Sequence, residues 1–161
     1  MITLRAATAS DWDAIWPLLR DVFREGMTYA VDPKITKEAA RSYWMGAAAV
    51  YVAATEDGVV GTYYIKTNQP GGGAHICNCG YIVGTAARGQ GLARKMCAHS
   101  QDAALDMGYT AMQFNFVLDS NTYALKLWRD MGFATLGTIP DAFAHPQAGM
   151  VDAHIMYKSL C

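Results

Sequence analysis

The stretch Gly84-Thr-Ala-Ala-Arg88-Gly89-Gln90-Gly91-Leu92-Ala93-Arg94 constrains this chain most, because it joins a β-rich run, His75 to Val83, to an amphipathic helix reaching about Met107. A helix start presents unpaired N–H groups and a partial positive charge. Glycine at such a place costs roughly 1 kcal/mol relative to alanine, so Gly89 and Gly91 point to a need for bare backbone. With Arg88 and Arg94 adding charge, the ligand this predicts is a phosphate or pyrophosphate; a glycine-softened helix start with no ligand is the plain alternative. Two phosphate motifs fail here. A P-loop needs Lys and Ser/Thr where Gln90 and Gly91 stand, and a dinucleotide fingerprint begun at Gly89 meets Arg94 in place of its third glycine.

The remaining runs give the order around this loop. Ile2 to Ala7 reads as a strand, followed by a cap at Ser10-Asp11-Trp12-Asp13 and a helix with Trp12, Ile15, Trp16, Leu19, Val22 and Phe23 at helical spacing, stopped by Gly26. Glu25 to Asp32 is irregular and placed to cover a site; Thr36 to Met45 is a second helix. Ala49 to Ala54 and Val59 to Lys66 form a hairpin about Glu56-Asp57-Gly58, and Gln69 to Gly73 is a loop. Beyond the glycine loop come a strand from Thr110 to Val117, a helix from Asn121 to Met131, and strands Phe133 to Ile139 and Val151 to Lys158. The order β-α-α-β-β-β-α-β-α-β-β predicts an α/β fold in one domain, residues 1–161, with a mixed sheet flanked by helices.

Composition narrows the function. Lys+Arg number 13 against 14 Asp+Glu, a net charge of −1, which argues against nucleic acid and anionic membranes as partners. The chain has neither an apolar run of about 18 residues nor a signal-like start, so a cytoplasmic location is expected. Its four cysteines are expected as free thiols. His75, Cys77 and Cys79 share a strand face but lie about 6.6 Å apart in succession, a poor bite for one ion, so no metal is expected.

Arg88-Gly89-Gln90-Gly91-Leu92-Ala93 resembles the [QR]-x-x-G-x-[GA] loop of the GNAT superfamily of N-acetyltransferases, and Asn121-Thr-Tyr-Ala124-Leu-Lys-Leu-Trp128-Arg-Asp-Met-Gly132-Phe133 resembles its later N-x-x-A-x-x-x-[YW]-x-x-x-G-F element. The resemblance covers nearly the whole chain and implies the GNAT fold, with a mostly antiparallel sheet. Its implied cosubstrate is acetyl-CoA, with the amides of Arg88, Gly89, Gln90, Gly91, Leu92 and Ala93 on the pyrophosphate and backbone groups of Tyr81, Ile82 and Val83 on pantetheine. Asn121 would hydrogen-bond the pantetheine arm. The strands at 75–83 and 110–117 would splay, with Gly80 as a bulge. EGMTYAVDP, VVGTYYIKTNQPG, NCGY, QFNFV and GTIPDAFAHPQAGMVDAHIMY further resemble a subgroup that includes azetidine-2-carboxylate acetyltransferases.

The pattern departs from the family in two ways. Trp128 stands where many members have a tyrosine that protonates the leaving thiolate, and an indole cannot do so; Tyr123 is an alternative donor that helical spacing turns elsewhere. No carboxylate lies on the 75–83 strand. Asn78, Asn115 and Asn121 stand there instead as candidate catalytic residues, with Asn115 expected buried in AMQFNFV and Tyr29, Tyr63, Asn68 and His75 as possible lining. The expected enzyme acetylates the amine of a small metabolite, an amino or imino acid among the candidates. A non-catalytic acyl-CoA-binding or sensing module is the alternative, and a protein-modifying enzyme is third. Dimerisation is expected through the terminal strands, HPQAGMVDAHIMY.

Overall fold

The computed structural model describes residues 1–161, which form a seven-stranded sheet with helices on both faces. In chain order the elements are β1 (Thr3–Ala6), α1 (Trp12–Glu25), α2 (Lys37–Met45), β2 (Ala49–Thr55), β3 (Gly58–Thr67), β4 (Ile76–Val83), α3 (Leu92–Asp106), β5 (Ala111–Leu118), α4 (Thr122–Asp130), β6 (Ala134–His145) and β7 (Gly149–Ser159). The sheet order is β1-β2-β3-β4-β5-β7-β6, and only β4 and β5 run parallel. This is the mixed sheet that the element order predicts, and it is mostly antiparallel as the family resemblance implies.

Strand alternation divides the apolar side chains between two cores. On one face Ile15, Leu19 and Phe23 of α1 and Trp44 of α2 pack on Val52, Tyr64 and Ile82. On the other, Leu92 and Met96 of α3 and Leu125 and Trp128 of α4 pack on Tyr63, Ile65, Phe114 and Met156. Tyr63 and Tyr64, adjacent in β3, thus belong to opposite cores. All four cysteines are free thiols.

Three local expectations are corrected. The cap before α1 sits two residues earlier than Ser10–Asp13. A turn at Ala9–Asp11 lets the Thr8 amide donate to Asp11 Oδ2 at 2.7 Å, and Arg5 of β1 donates to both Asp11 oxygens at 2.8 and 2.9 Å. Asp13 bonds Lys37 of α2 instead, at 2.8 Å. The strand expected to stop at Ile139 runs on to His145 because it lies at the sheet edge, where Pro140 is tolerated within a bulge and Asp141 adopts φ +46°. Its partner likewise starts at Gly149 rather than Val151.

Gly80 is not a bulge: β3 and β4 keep register through Tyr64↔Gly80. Glycine is needed there because a Cβ would stand 2.5 Å from Tyr64 Cε2, and that ring is fixed edge-on against Trp44, with centroids 4.8 Å apart. Gly80→Ala should therefore destabilise the fold by about 1–3 kcal/mol, read as a lower urea midpoint. The Arg5 guanidinium holds the Asp11 carboxyl well below the usual carboxylate range. A group depressed in the folded state contributes stability that is full above its unfolded value, about pH 4, and lost as pH falls below it. Asp11→Ala should thus cost about 1 kcal/mol at pH 7, and its unfolding curve should converge on that of the parent protein as the pH drops below about 4.

Candidate active site

Two paired positions join β4 to β5, Ile76↔Ala111 and Cys77↔Met112, and then the strands part. At the parting point the Asn78 side chain takes over from the ladder. Its Nδ2 donates to the Gln113 carbonyl at 2.9 Å and its Oδ1 accepts from the Tyr64 hydroxyl at 3.2 Å, with the residue 7% exposed. On the far side, β5 breaks register with β7 between Phe114 and Val117, so Asn115 and Phe116 form the bulge that turns this strand away. The bulge expected on β4 thus lies on β5.

The parting leaves a cavity of about 380 Å³. Asn68 N donates to Ile76 O and Gly84 N to Val60 O, so even-numbered residues of β4 turn their backbone groups to β3. Cys79, Tyr81 and Val83 therefore face the slot, and Ile82, expected with them, spends its amide and carbonyl on β3 opposite Thr62. The Tyr81 carbonyl already accepts from the Tyr29 hydroxyl at 3.0 Å, which draws the connection between α1 and α2 over the cavity. Arg24 secures that connection by donating to the carbonyls of Pro33 and Ile35.

At one end of the slot lies the glycine loop. Gly89 and Gly91 take φ of +76° and +74°, the left-handed conformation that L side chains disfavour, and Gly91 caps α3. The N–H groups from Gly89 through Gln90, Gly91, Leu92 and Ala93 to Arg94 find no acceptor within the chain. Such a run of unbonded amides at a helix start is an anion cradle. Arg88 is exposed and unpaired beside it, whereas Arg94 reaches Asp130 of α4 at 3.6 Å. Leu92 is buried and anchors the first turn; Ala93 lines the cavity.

The middle of the slot is aromatic. Trp128 stands with its ring centroid 5.1 Å from Tyr81 and 5.0 Å from Phe114, and Phe114 stacks on Phe133 at 4.3 Å. Asn121 caps α4, its Oδ1 accepting from the Ala124 amide at 3.2 Å, which leaves its Nδ2 for a ligand. Tyr123, which helical spacing turns elsewhere, lines the same cavity although the residue is 67% exposed. Burial pushes the hydroxyls of Tyr29, Tyr64 and Tyr81 and the thiol of Cys79 well above their ordinary values, so each is neutral at pH 7.

Asn115 is exposed rather than buried, because the bulge lifts it from the ladder. Its Nδ2 donates to Asn68 Oδ1 at 2.7 Å and its Oδ1 accepts from Gln113 Nε2 at 3.0 Å. Of the expected lining, Tyr29 reaches the cavity, but Tyr63 does not line it and holds its hydroxyl 2.6 Å from His99 Nδ1, and Asn68 and His75 stay outside. Sequence reasoning missed Lys66, Tyr43 and Tyr64. The period-2 spacing of Tyr64 and Lys66 was the available signal, once the Lys66↔Asn78 register had placed them.

An amide-lined anion cradle opening into an aromatic slot between two splayed strands, with a polar chamber beyond, is the arrangement of an acyl-group transferase. Residues 12–133 match the acetyltransferase (GNAT) family, so the chain belongs to that family. It is an N-acetyltransferase whose cosubstrate is acetyl-CoA. The structure of a GCN5-related N-acetyltransferase from Kribbella flavida is 42% identical and superposes with a TM-score of 0.93, over 98% of this chain and 97% of that one. N-acetyltransferase aca1 of Schizosaccharomyces pombe is 29% identical over 81% of this chain and 71% of its own length. A phosphinothricin acetyltransferase from Sinorhizobium meliloti, solved in complex with AcCoA, shares the fold at 20% identity and a TM-score of 0.85, over 98% of this chain and 88% of that one. No helix is long and apolar enough to cross a membrane.

Asn78→Ala should remove both bonds at the parting point and strand the Gln113 carbonyl, costing about 1–3 kcal/mol in chemical unfolding. Asn115→Ala, at an exposed position, should shift stability by less than about 0.5 kcal/mol.

Proposed function

We propose that this acetyltransferase, a single domain over residues 1–161, moves acetyl to the amine of a small metabolite of the amino or imino acid class. The observation that carries the reading is the covered chamber: Thr28, Tyr29 and Ala30 close one side of a cavity of about 380 Å³, a size that favours a small acceptor. The resemblance to azetidine-2-carboxylate acetyltransferases supports it, since the segments that carry it supply Tyr29, Tyr64, Asn78 and Asn115 to the lining.

Acetyl-CoA supplies the acetyl group as a thioester. Around it, the amides of Gly89 to Ala93 and the Arg88 guanidinium hold the pyrophosphate, the slot-facing backbone of Cys79, Tyr81 and Val83 runs along the pantetheine arm as an added strand would, and Asn121 Nδ2 donates to it. Trp128, Phe114 and Tyr81 exclude water. No carboxylate or histidine lines the chamber, so the acceptor binds as its neutral amine or passes its proton to a water. Asn115 Oδ1, with one acceptor position unused, orients that amine or water. Trp128 has no proton to give at neutral pH, and we assign protonation of the leaving thiolate, which gives the free thiol of CoA, to Tyr123. Rate enhancement comes mainly from fixing amine and thioester together. A homodimer through the β6–β7 hairpin belongs to the same reading, for Leu136, Ile139 and Met150 stand exposed there.

The test is thiol release from acetyl-CoA with amino acids, imino acids, polyamines and peptides. Turnover should be confined to small amino or imino acids and fall roughly 10- to 100-fold in kcat/KM in Asn115→Ala, the equivalent of about 1.4–2.8 kcal/mol. Turnover of peptides alone, or an Asn115→Ala enzyme as active as its parent, would sink the proposal.

A further inference from the structure

Lys66 is the only charged residue lining the cavity. It lies on β3 directly opposite Asn78 of β4, at the point where the slot begins. Its Nζ stands 5.4 Å from the Tyr43 ring centroid and 5.2 Å from that of Tyr64, and it makes no ion pair within the chain. The two aromatic faces steady an ammonium without neutralising it. A half-buried cation that no carboxylate of the protein balances is an unsatisfied charge in a place built to receive a ligand.

That charge cannot serve the phosphates. The anion cradle follows Val83, and Val83 is five residues beyond Asn78 along β4, about 16 Å at roughly 3.3 Å per residue. The two positive features thus occupy opposite ends of the slot, one reading the nucleotide end of the cosubstrate and the other facing the acceptor chamber.

We propose that Lys66 is the specificity residue of the acceptor site and binds an anionic carboxylate carried by the substrate next to its amine. The inference rests on the small-amine reading above and sharpens it: the acceptor is an amino or imino acid with a free carboxylate, and polyamines and carboxyl-blocked compounds are poor. The lysine stem reaches from the two rings to the ligand by rotation about its own bonds. Charge repulsion serves the same discrimination, because a substrate lacking the carboxylate brings only its cationic amine toward the ammonium.

The test compares azetidine-2-carboxylate, proline and alanine, each against its own carboxamide, in the parent enzyme and in Lys66→Gln and Lys66→Arg. A charge-assisted contact predicts that the acid-to-amide ratio of kcat/KM falls roughly 10- to 100-fold in Lys66→Gln, through KM for the acids, and is largely restored in Lys66→Arg. The amide's more acidic ammonium affects parent and variant alike, so the change in ratio reports the side chain alone. KM for acetyl-CoA and the urea midpoint, measured alongside, should move little. Acids and amides losing activity equally, or a ratio that Lys66→Gln leaves intact, would overturn the role of Lys66 while small-amine acetylation stood; absence of turnover with every small amine would overturn both.

Discussion

The fold turns on a place where its sheet stops being a sheet. β4 and β5 share two paired positions and then separate, although continued pairing would satisfy every backbone group along both strands. Separation is held by three devices acting together. Asn78 replaces the next ladder bond with a side-chain amide, the bulge at Asn115 and Phe116 bends β5 away, and the Tyr81–Trp128–Phe114–Phe133 aromatic series fills what would otherwise be a void. The slot-facing backbone of Cys79, Tyr81 and Val83 is the result: a strand edge inside the molecule, waiting for an extended partner.

Electrostatics along that slot are graded. One end carries N–H groups and Arg88, the middle is neutral and aromatic, and the other end carries Lys66. Because no Asp or Glu lines the cavity and its tyrosines are neutral, no negative charge intervenes between the two positive ends. Interactions with the buried part of such a passage are stronger than at the surface, so placed dipoles count for more there than on an exposed face.

What the sequence disclosed follows from range. Elements with strong periodicity and local punctuation, such as α1 ending at Gly26 or the hairpin about Glu56 and Asp57, are legible because their signals lie within a few residues. The glycine loop was legible for the same reason: positive φ at Gly89 and Gly91 is a local demand. Register is not local. Local pattern places the bulge at Gly80 whereas it arises on β5, it turns Ile82 to the slot although that amide is spent on β3, and it buries Asn115 because AMQFNFV gives no hint of the bulge that lifts it out. Lys66 escaped notice since its importance depends on what stands opposite, 12 residues away in sequence and adjacent in space. The cap at Thr8 was displaced by a partner, Arg5, that only the β1–α1 geometry brings near.

The outer strand β6 has a bearing on the protein's behaviour in concentrated solution. It is the last strand on one side of the sheet, and Pro140 together with the left-handed Asp141 interrupts the row of groups it presents outward. The opposite margin, β1, offers only four residues. The break on one margin and the shortness of the other both work against growth of the sheet by successive addition of chains, the route to fibrous precipitates.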